Sequence, residues 1–404
     1  MKAHVLIIAD GRSPTALSWI NNIRVLDYQV SLISTYPCQP PEGVQHFQIL
    51  PVAFSRFSRE TSPGTASPTR SQRTSLKSVI RRYAPGFQTM RYYLGPLTLH
   101  RYAAPLRAMI KEIQPDLIHA LRIPFEGMLG TATPEGIPFL AATWGNDLTL
   151  HARGSFLMRR FTRRCLERAD GLTSDTHRDI RLAQALGLDP NSPTLVVPGF
   201  GGLDLDSIQQ SGTFNPSLFN IPASADWVVN PRGLRPGSVH QDVFLASIPQ
   251  VLARQPEVVF ICPGLLGKSK IEALVKKYNI QDRVFLLPKL DQPQLWDLMR
   301  KSVIFVSPSS HDGTPNTLLE AMACGCFPVA GDIESLREWI KSGVNGLLVD
   351  PRDPDALAAA VLEALGSTVL RNGAAEHNRT VIKNRAARDA TLPEIDHFYL
   401  TFLN

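Results

Sequence analysis

The chain has 404 residues, 44% hydrophobic and 19% charged, which is enough apolar material for two or three domains with buried cores and too little charge for a disordered polymer. Its five cysteines, none at C-x-x-C spacing, exclude a disulfide framework and a cysteine zinc site, and no apolar run reaches the ~18 residues of a membrane span. The net charge of +6 is uneven, with 23 Lys/Arg against 14 Asp/Glu in residues 1–200 and 19 against 22 in the rest, so the first half either meets an anionic partner or carries solvated basic helix faces.

In chain order, Val5–Ala9 predicts a buried strand, Thr15–Leu26 a helix and Gln29–Ser34 a second strand. The opening MKAHVLIIADG breaks at Asp10-Gly11 without a cleavage-type ending, so it reads as that strand and not as a leader. Residues 55–82 are rich in Ser, Thr and Arg without apolar periodicity and predict a mobile loop, either an inert insertion or a flap beside an acceptor. Strands resume at Leu117–Ala120, Phe139–Thr143, Gly171–Ser174 and Thr194–Val197. The helix predicted at Phe156–Ala169 interleaves Arg159, Arg160, Arg163, Arg164 and Arg168 with Phe156, Leu157, Phe161 and Leu166. Such a helix suits either an anionic membrane surface or a core with a solvated basic face outside.

Residues 199–225 predict a hinge, and a second alternating run follows. Its strands fall at Trp227–Asn230, Val258–Cys262, Val284–Leu287, Val303–Ser307, Phe327–Ala330 and Gly346–Val349. Its helices fall at Asp242–Arg254, Lys268–Tyr278, Gln292–Lys301, Thr317–Cys324, Ile333–Ser342 and Pro354–Leu365. Short continuous apolar strands alternating with helices define an α/β chain of two doubly wound, Rossmann-like domains, 1–205 and 225–382, with ligands expected in a cleft outside the carboxyl ends of the strands.

The segment Val303–Gly325, VIFVSPSSHDGTPNTLLEAMACG, concentrates the chemistry. A strand ends at Ser307-Pro308, a polar turn shaped by Gly313 and Pro315 follows, and a helix starts near Asn316-Thr317. Backbone N–H groups at such a start, with the positive end of the helix dipole, seat a diphosphate. Glu320, one turn inside, can accept two hydrogen bonds from a ribose diol, and Asp312 precedes the helix beside whatever the diphosphate carries.

This segment closely resembles the signature of retaining glycosyltransferases of the family-4 type, which have the two-Rossmann GT-B fold. Pro308-Ser309, Asp312, Glu320 and Ala321-Met322-Ala323-Cys324-Gly325 match it, with Asp312 standing where Glu is usual. The resemblance implies that Glu320 holds the nucleotide ribose and Asp312 contacts the donor sugar. The diphosphate would be held by the backbone of Asn316, Thr317 and Leu318. WVVNPRGLRPG resembles the family's first donor-domain strand and Gly-Arg loop, where Arg232 would neutralise the leaving diphosphate. The usual Lys is absent, Gly237 standing there, and Arg235 or His240 is the substitute. Val344–Val349 and Glu338 match structural positions of the same family.

In the first half, Asp116-Leu117-Ile118-His119-Ala120 resembles a strand end of that family, and Ala142–Asp147 resembles a segment near the reacting carbon, with Trp144 where His is usual. The acceptor side would then hold Gly11, Arg12, His119, Trp144 and Gly145, with Asp147 orienting a loop or receiving the acceptor proton. A terminal helix within 383–404 would pack back on the first domain. The implied reaction transfers a sugar from a UDP-, GDP- or ADP-sugar to a hydroxyl of a glycan, lipid-linked or small-molecule acceptor in glycan, polysaccharide or glycolipid synthesis, with retention, no cofactor and no metal. Arg232, Asp312 and Asp147 are the catalytic candidates. A nucleotide-sugar epimerase and a non-catalytic transferase-like subunit stay open as alternatives. Basic residues without a reader motif or aromatic platform exclude nucleic acid, and a cytoplasmic protein, peripheral on the inner membrane face, is expected.

Overall fold

A computed structural model describes residues 3–57, 84–210 and 212–403. Beyond Phe57, the insertion expected at 55–82 lies outside the described residues. The chain divides into two units, Met1–Gly201 with Leu392–Asn404, and Gly202–Thr391.

In the first unit the described strands are β1 (His4–Ala9), β2 (Gln29–Ser34), β3 (Phe47–Ile49), β4 (Leu117–Ala120), β5 (Phe139–Thr143), β6 (Gly171–Ser174) and β7 (Thr194–Val196). They form one parallel sheet in the order β3-β2-β1-β4-β5-β6-β7. The central strands are mostly apolar because helices cover both faces, and buried side chains alternate between two layers. Leu6, Ile8 and Ile118 join Met128, Phe139 and Met158 on one side. Val5, Ile7 and Leu32 join Trp19, Ile20 and Ile23 on the other. Those last three belong to helix Pro14–Val25, which starts on the Ser13 side chain with Pro in its first turn.

The second unit repeats the pattern with β8 (Trp227–Val229), β9 (Val259–Pro263), β10 (Val284–Leu287), β11 (Ile304–Ser307), β12 (Phe327–Gly331) and β13 (Leu347–Val349). The order β10-β9-β8-β11-β12-β13 is again all parallel and reverses direction between β8 and β11. Loops leaving the carboxyl ends of neighbouring strands diverge at such a reversal and leave room for a ligand.

The boundary between the units, at Gly201/Gly202, falls inside the segment 199–225 expected as a hinge, and residues 202–225 go with the second unit. They carry the helix Leu205–Gln210, and Phe214 is bonded on both sides: its N–H donates to Asp297 Oδ2 at 2.9 Å and its carbonyl accepts from Lys301 Nζ at 3.0 Å. The helix expected over 333–342 is cut to Glu334–Arg337. The Asn345 side chain takes over beyond it, accepting from Lys341 N–H at 2.7 Å and donating to the Trp339 carbonyl at 2.9 Å. Two helices that the sequence reading omits, Ala84–Thr98 and His100–Ile113, contain Pro96 and Pro105.

The last helix, Arg388–Leu400, straddles the boundary, and the part returned to the first unit starts at Leu392 and not at 383. It places Ile395, Phe398 and Tyr399 in the layer with Trp19.

Candidate functional site

The loops leaving β8 and β11 are tied together. Val239 and Ser309 form an antiparallel bridge, His240 N–H donates to the Pro308 carbonyl at 3.0 Å, and Ser310 N–H donates to the Ser238 carbonyl at 2.8 Å. The His240 ring meets Ser310 Oγ at 2.9 Å, so His240 positions this loop. A glycine at 331 is required behind it, because a Cβ there would lie 2.2 Å from the Ser309 carbonyl oxygen.

This scaffold brings together the donor-side residues expected from the sequence. Arg232 is only 4% exposed. Its Nη2 is ion-paired with Asp312 Oδ2, and its Nη1 donates to Thr317 Oγ1 at 2.8 Å. Asn230 Oδ1 accepts from the Arg232 backbone N–H at 3.2 Å and is itself fixed by Gln241. Burial pushes the Arg232 pKa down and the Asp312 charge opposes that, but a guanidinium keeps its proton at any ordinary pH. The Arg232 Nε is buried and has no acceptor among the described residues. A buried charged donor in this position can take an added acceptor, a water or an anion.

Thr317 stands in the first turn of helix Asn316–Ala323, whose start carries no side-chain cap. Of the three backbone amides expected to hold a diphosphate, that of Leu318 already donates to the Pro315 carbonyl at 2.9 Å. Gly313 is buried within the loop, Thr314 is held by Trp339 Nε1 at 2.8 Å, and the Asp312 carbonyl accepts from Ser335 Oγ at 2.8 Å. Glu320 is 8% exposed, and burial pushes its carboxyl up to about 7 against the charge of Arg232. Its Oε1 accepts from Gln292 Nε2 at 2.7 Å. Gln292 was not foreseen: it opens the helix Gln292–Lys301, far from Glu320 in sequence, and no local pattern announces it. Arg235 is exposed on the β8 loop, close enough for its charge to act on Arg232.

In the first unit the outcome is mixed. His119 is fully buried, its Nδ1 bonded to Tyr399 Oη at 2.8 Å and its Nε2 to Thr173 Oγ1 at 3.2 Å, and burial pushes its pKa down to about 3. It is a neutral core histidine, which corrects its assignment to the acceptor side. Asp147 is also fully buried, paired with Arg122 Nε at 2.8 Å and accepting from Trp144 N–H at 3.1 Å. Its carboxylate shapes the 144–147 turn, so of its two expected roles the structure supports the orienting one. Gly145 adopts φ 53° there, and its N–H donates to Asp175 Oδ2 at 3.2 Å. The Trp144 indole lies against Gly199, and Gly11 N–H donates to Ser34 Oγ at 3.0 Å where a Cβ would strike Cys38. Arg12 is held by Asp10 through both Nε and Nη2 at 3.0 Å and lies 3.9 Å over the Tyr36 ring.

Among the buried acids that the sequence reading does not single out, Glu126 has the most perturbed surroundings. Glu126 is 4% exposed, accepts from Thr35 Oγ1 at 2.6 Å, and burial pushes its carboxyl up to about 7. It follows Arg122 and Phe125, whose φ angles of 116° and 72° are rare for residues with side chains. No motif in LRIPFEG signals this.

The same two-unit organisation recurs in solved structures. Sucrose-phosphate synthase from Thermosynechococcus elongatus superposes with a TM-score of 0.72 at 17% identity, covering 99% of each chain. Anabaena HepE in complex with UDP-glucose gives 0.70 at 16%, covering 99% of this chain and 100% of that one. Among curated relatives, the D-inositol 3-phosphate glycosyltransferase of Geodermatophilus obscurus is 31% identical over 249 residues, 56% of this chain and 54% of the relative. That of Thermobispora bispora is 29% identical over 224 residues, 52% of each. The chain thus aligns with about half the length of the curated relatives it matches. The pattern described as a glycosyl transferase 4-like domain matches residues 11–199, and that described as glycosyl transferases group 1 matches 237–384. The two matches fall one on each unit, the second over the loop and helix start that hold Asp312, Thr317 and Glu320, and the chain belongs to the group 1 glycosyltransferases.

Proposed function

We propose that this chain transfers a sugar from a nucleoside-diphosphate sugar to a hydroxyl acceptor with retention of anomeric configuration. The observation that carries the reading is the Arg232 guanidinium, buried with an unpartnered Nε, set against an uncapped helix start and one turn from Glu320. A diphosphate between them would give Nε its acceptor, and the helix dipole would add to the stabilisation of charge growing on the leaving group. Glu320 would accept the ribose hydroxyls and Asp312, on the far side of Arg232, would face the sugar. Arg235 would add a second cation from the exposed part of the loop. These cations do the work a metal would otherwise do, so turnover is expected to survive a chelator.

The fold neighbours solved with UDP and UDP-glucose support a uridine nucleotide as the first donor to try. Calorimetric titration of the protein with UDP, GDP and ADP tests the reading. One nucleotide should bind, and Arg232→Ala should weaken it by roughly 2–4 kcal/mol, as for a lost charge-assisted pair at a buried site. Undiminished affinity in Arg232→Ala and Glu320→Ala together would end the proposal. Incubation with donor alone also separates the readings: slow hydrolysis fits a transferase, whereas epimerised donor would require an isomerase.

A further inference from the structure

The helix Ala84–Thr98 uses one face and, among the described residues, leaves another exposed. On the used face the Tyr92 hydroxyl bonds His151 Nδ1 at 2.7 Å, its carbonyl accepts from Ser155 Oγ at 2.8 Å, and Arg91 lies 4.5 Å over the Phe125 ring. On the other face Met90, Tyr93, Leu94 and Leu97 follow one another at i, i+3, i+4 and i+7, exposed by 36, 53, 47 and 48%. A stripe at that spacing normally faces a core.

Its neighbour supplies a charge. Ser155, which grips the Tyr92 carbonyl, also caps the helix Phe156–Arg168. The first residue of that helix, Phe156, is 73% exposed, and its outer face carries Arg159, Arg160, Arg163 and Arg164, all exposed, with exposed Arg153 just before it. Glu167 is the only acid in that helix and is engaged by Arg163 at 2.7 Å. An apolar strip therefore borders a basic one on the surface of the first unit.

We infer that the first unit docks through these two helices on an anionic lipid bilayer. Met90, Tyr93, Leu94, Leu97 and Phe156 enter the boundary between headgroups and acyl chains, and the arginines meet lipid phosphates. Apolar side chains with a tyrosine beside a cationic row match the two layers of that interface. A second copy of the chain fits worse, because a symmetric contact through the stripe sets one arginine row near another. The inference is independent of the donor reading, whose residues lie in the other unit.

Flotation of the full chain with phosphatidylcholine vesicles, with and without phosphatidylglycerol, tests it. The protein should float with the anionic vesicles, less so as salt rises, and stay in solution with the neutral ones. Arg159→Glu with Arg160→Glu should lower the vesicle partition coefficient at least about 25-fold, from roughly fivefold per removed cation. Leu94→Asp with Leu97→Asp should abolish flotation while the arginines remain. All four positions are exposed, so the thermal unfolding midpoint of each variant should match wild type. Failure to float, equal binding to neutral vesicles, or flotation indifferent to both pairs would overturn the inference. So would a concentration-dependent dimer dispersed by Leu94→Asp/Leu97→Asp in a protein that ignores vesicles.

Discussion

Arg232 serves two neighbours at once, Asp312 and Thr317, and a lysine has no fork with which to do so. Arg232→Lys should therefore keep the fold, since a cation still faces Asp312, yet bind nucleotide about tenfold more weakly by calorimetry. Arg232→Ala leaves Asp312, 7% exposed, without its cation and should cost about 3–5 kcal/mol in urea unfolding. The two raised carboxyls give opposite pH trends. Ionised Glu320 is the form suited to a ribose diol, so nucleotide affinity should rise between pH 6 and 8, and Glu320→Gln should flatten that rise. Glu126 is easier to protonate folded than unfolded, so its contribution to stability is present below about pH 4.5 and is lost as pH rises through about 7. Glu126→Gln, which keeps the Thr35 bond, should raise the melting temperature at pH 8 and leave it unchanged at pH 4. Asp312 and Glu320 were legible because a strand, a turn and a helix close together in sequence carry them, and Arg232 because it stands in a second local pattern, the strand and Gly-Arg loop 80 residues earlier. Gln292 and Glu126 were not, because the fold alone sets their partners.

Among the elements, the packing of β12 under the β11 loop makes a sharp demand. Gly331→Ala puts a methyl against the Ser309 carbonyl, on the loop that carries Asp312, and should cost roughly 1–3 kcal/mol while weakening nucleotide binding. Gly366→Ala is the control: it closes helix Pro354–Gly366, meets nothing within 4 Å, and should leave both readouts unchanged or slightly improve stability. The strands of the second unit could be read within a residue or so because both faces of its sheet are covered and the apolar runs are unbroken. Helix Thr368–Arg385 escaped because its buried stripe is thin, only Ala374, Asn378 and Ile382, in an otherwise polar run. His119 was misread for a related reason: a histidine at a strand end looks the same in sequence whether it faces solvent or, as here, Tyr399.

For the molecule as a whole, the division into two units was visible in the repeated alternation of strand and helix, with the first crossing at Gly201/Gly202 inside the expected 199–225, whereas the return at Leu392 was expected earlier, from 383. Residues 202–225 are loop-like in sequence and gain their structure from Asp297, Arg300 and Lys301. The return of residues 392–404 to the first unit is the costlier feature to disturb. Deleting them removes Ile395, Phe398 and Tyr399 from the layer around Trp19 and strips His119 of one of its two hydroxyl partners, leaving Thr173. Three buried side chains at roughly 2–3 kcal/mol each exceed half of an ordinary domain's stability. The first unit of the truncated chain is expected to unfold, read as loss of near-ultraviolet dichroism and rapid proteolysis within 1–201, while residues 202–391 still bind nucleotide.

That return also sets an order on synthesis. The sheet of the first unit emerges from the ribosome first, yet one of its two apolar layers stays open until residues 392–404 arrive, so the second unit should mature earlier although it is translated later. Nascent chains stalled after residue 391 should resist protease in the later-made half and be cut in the earlier-made one.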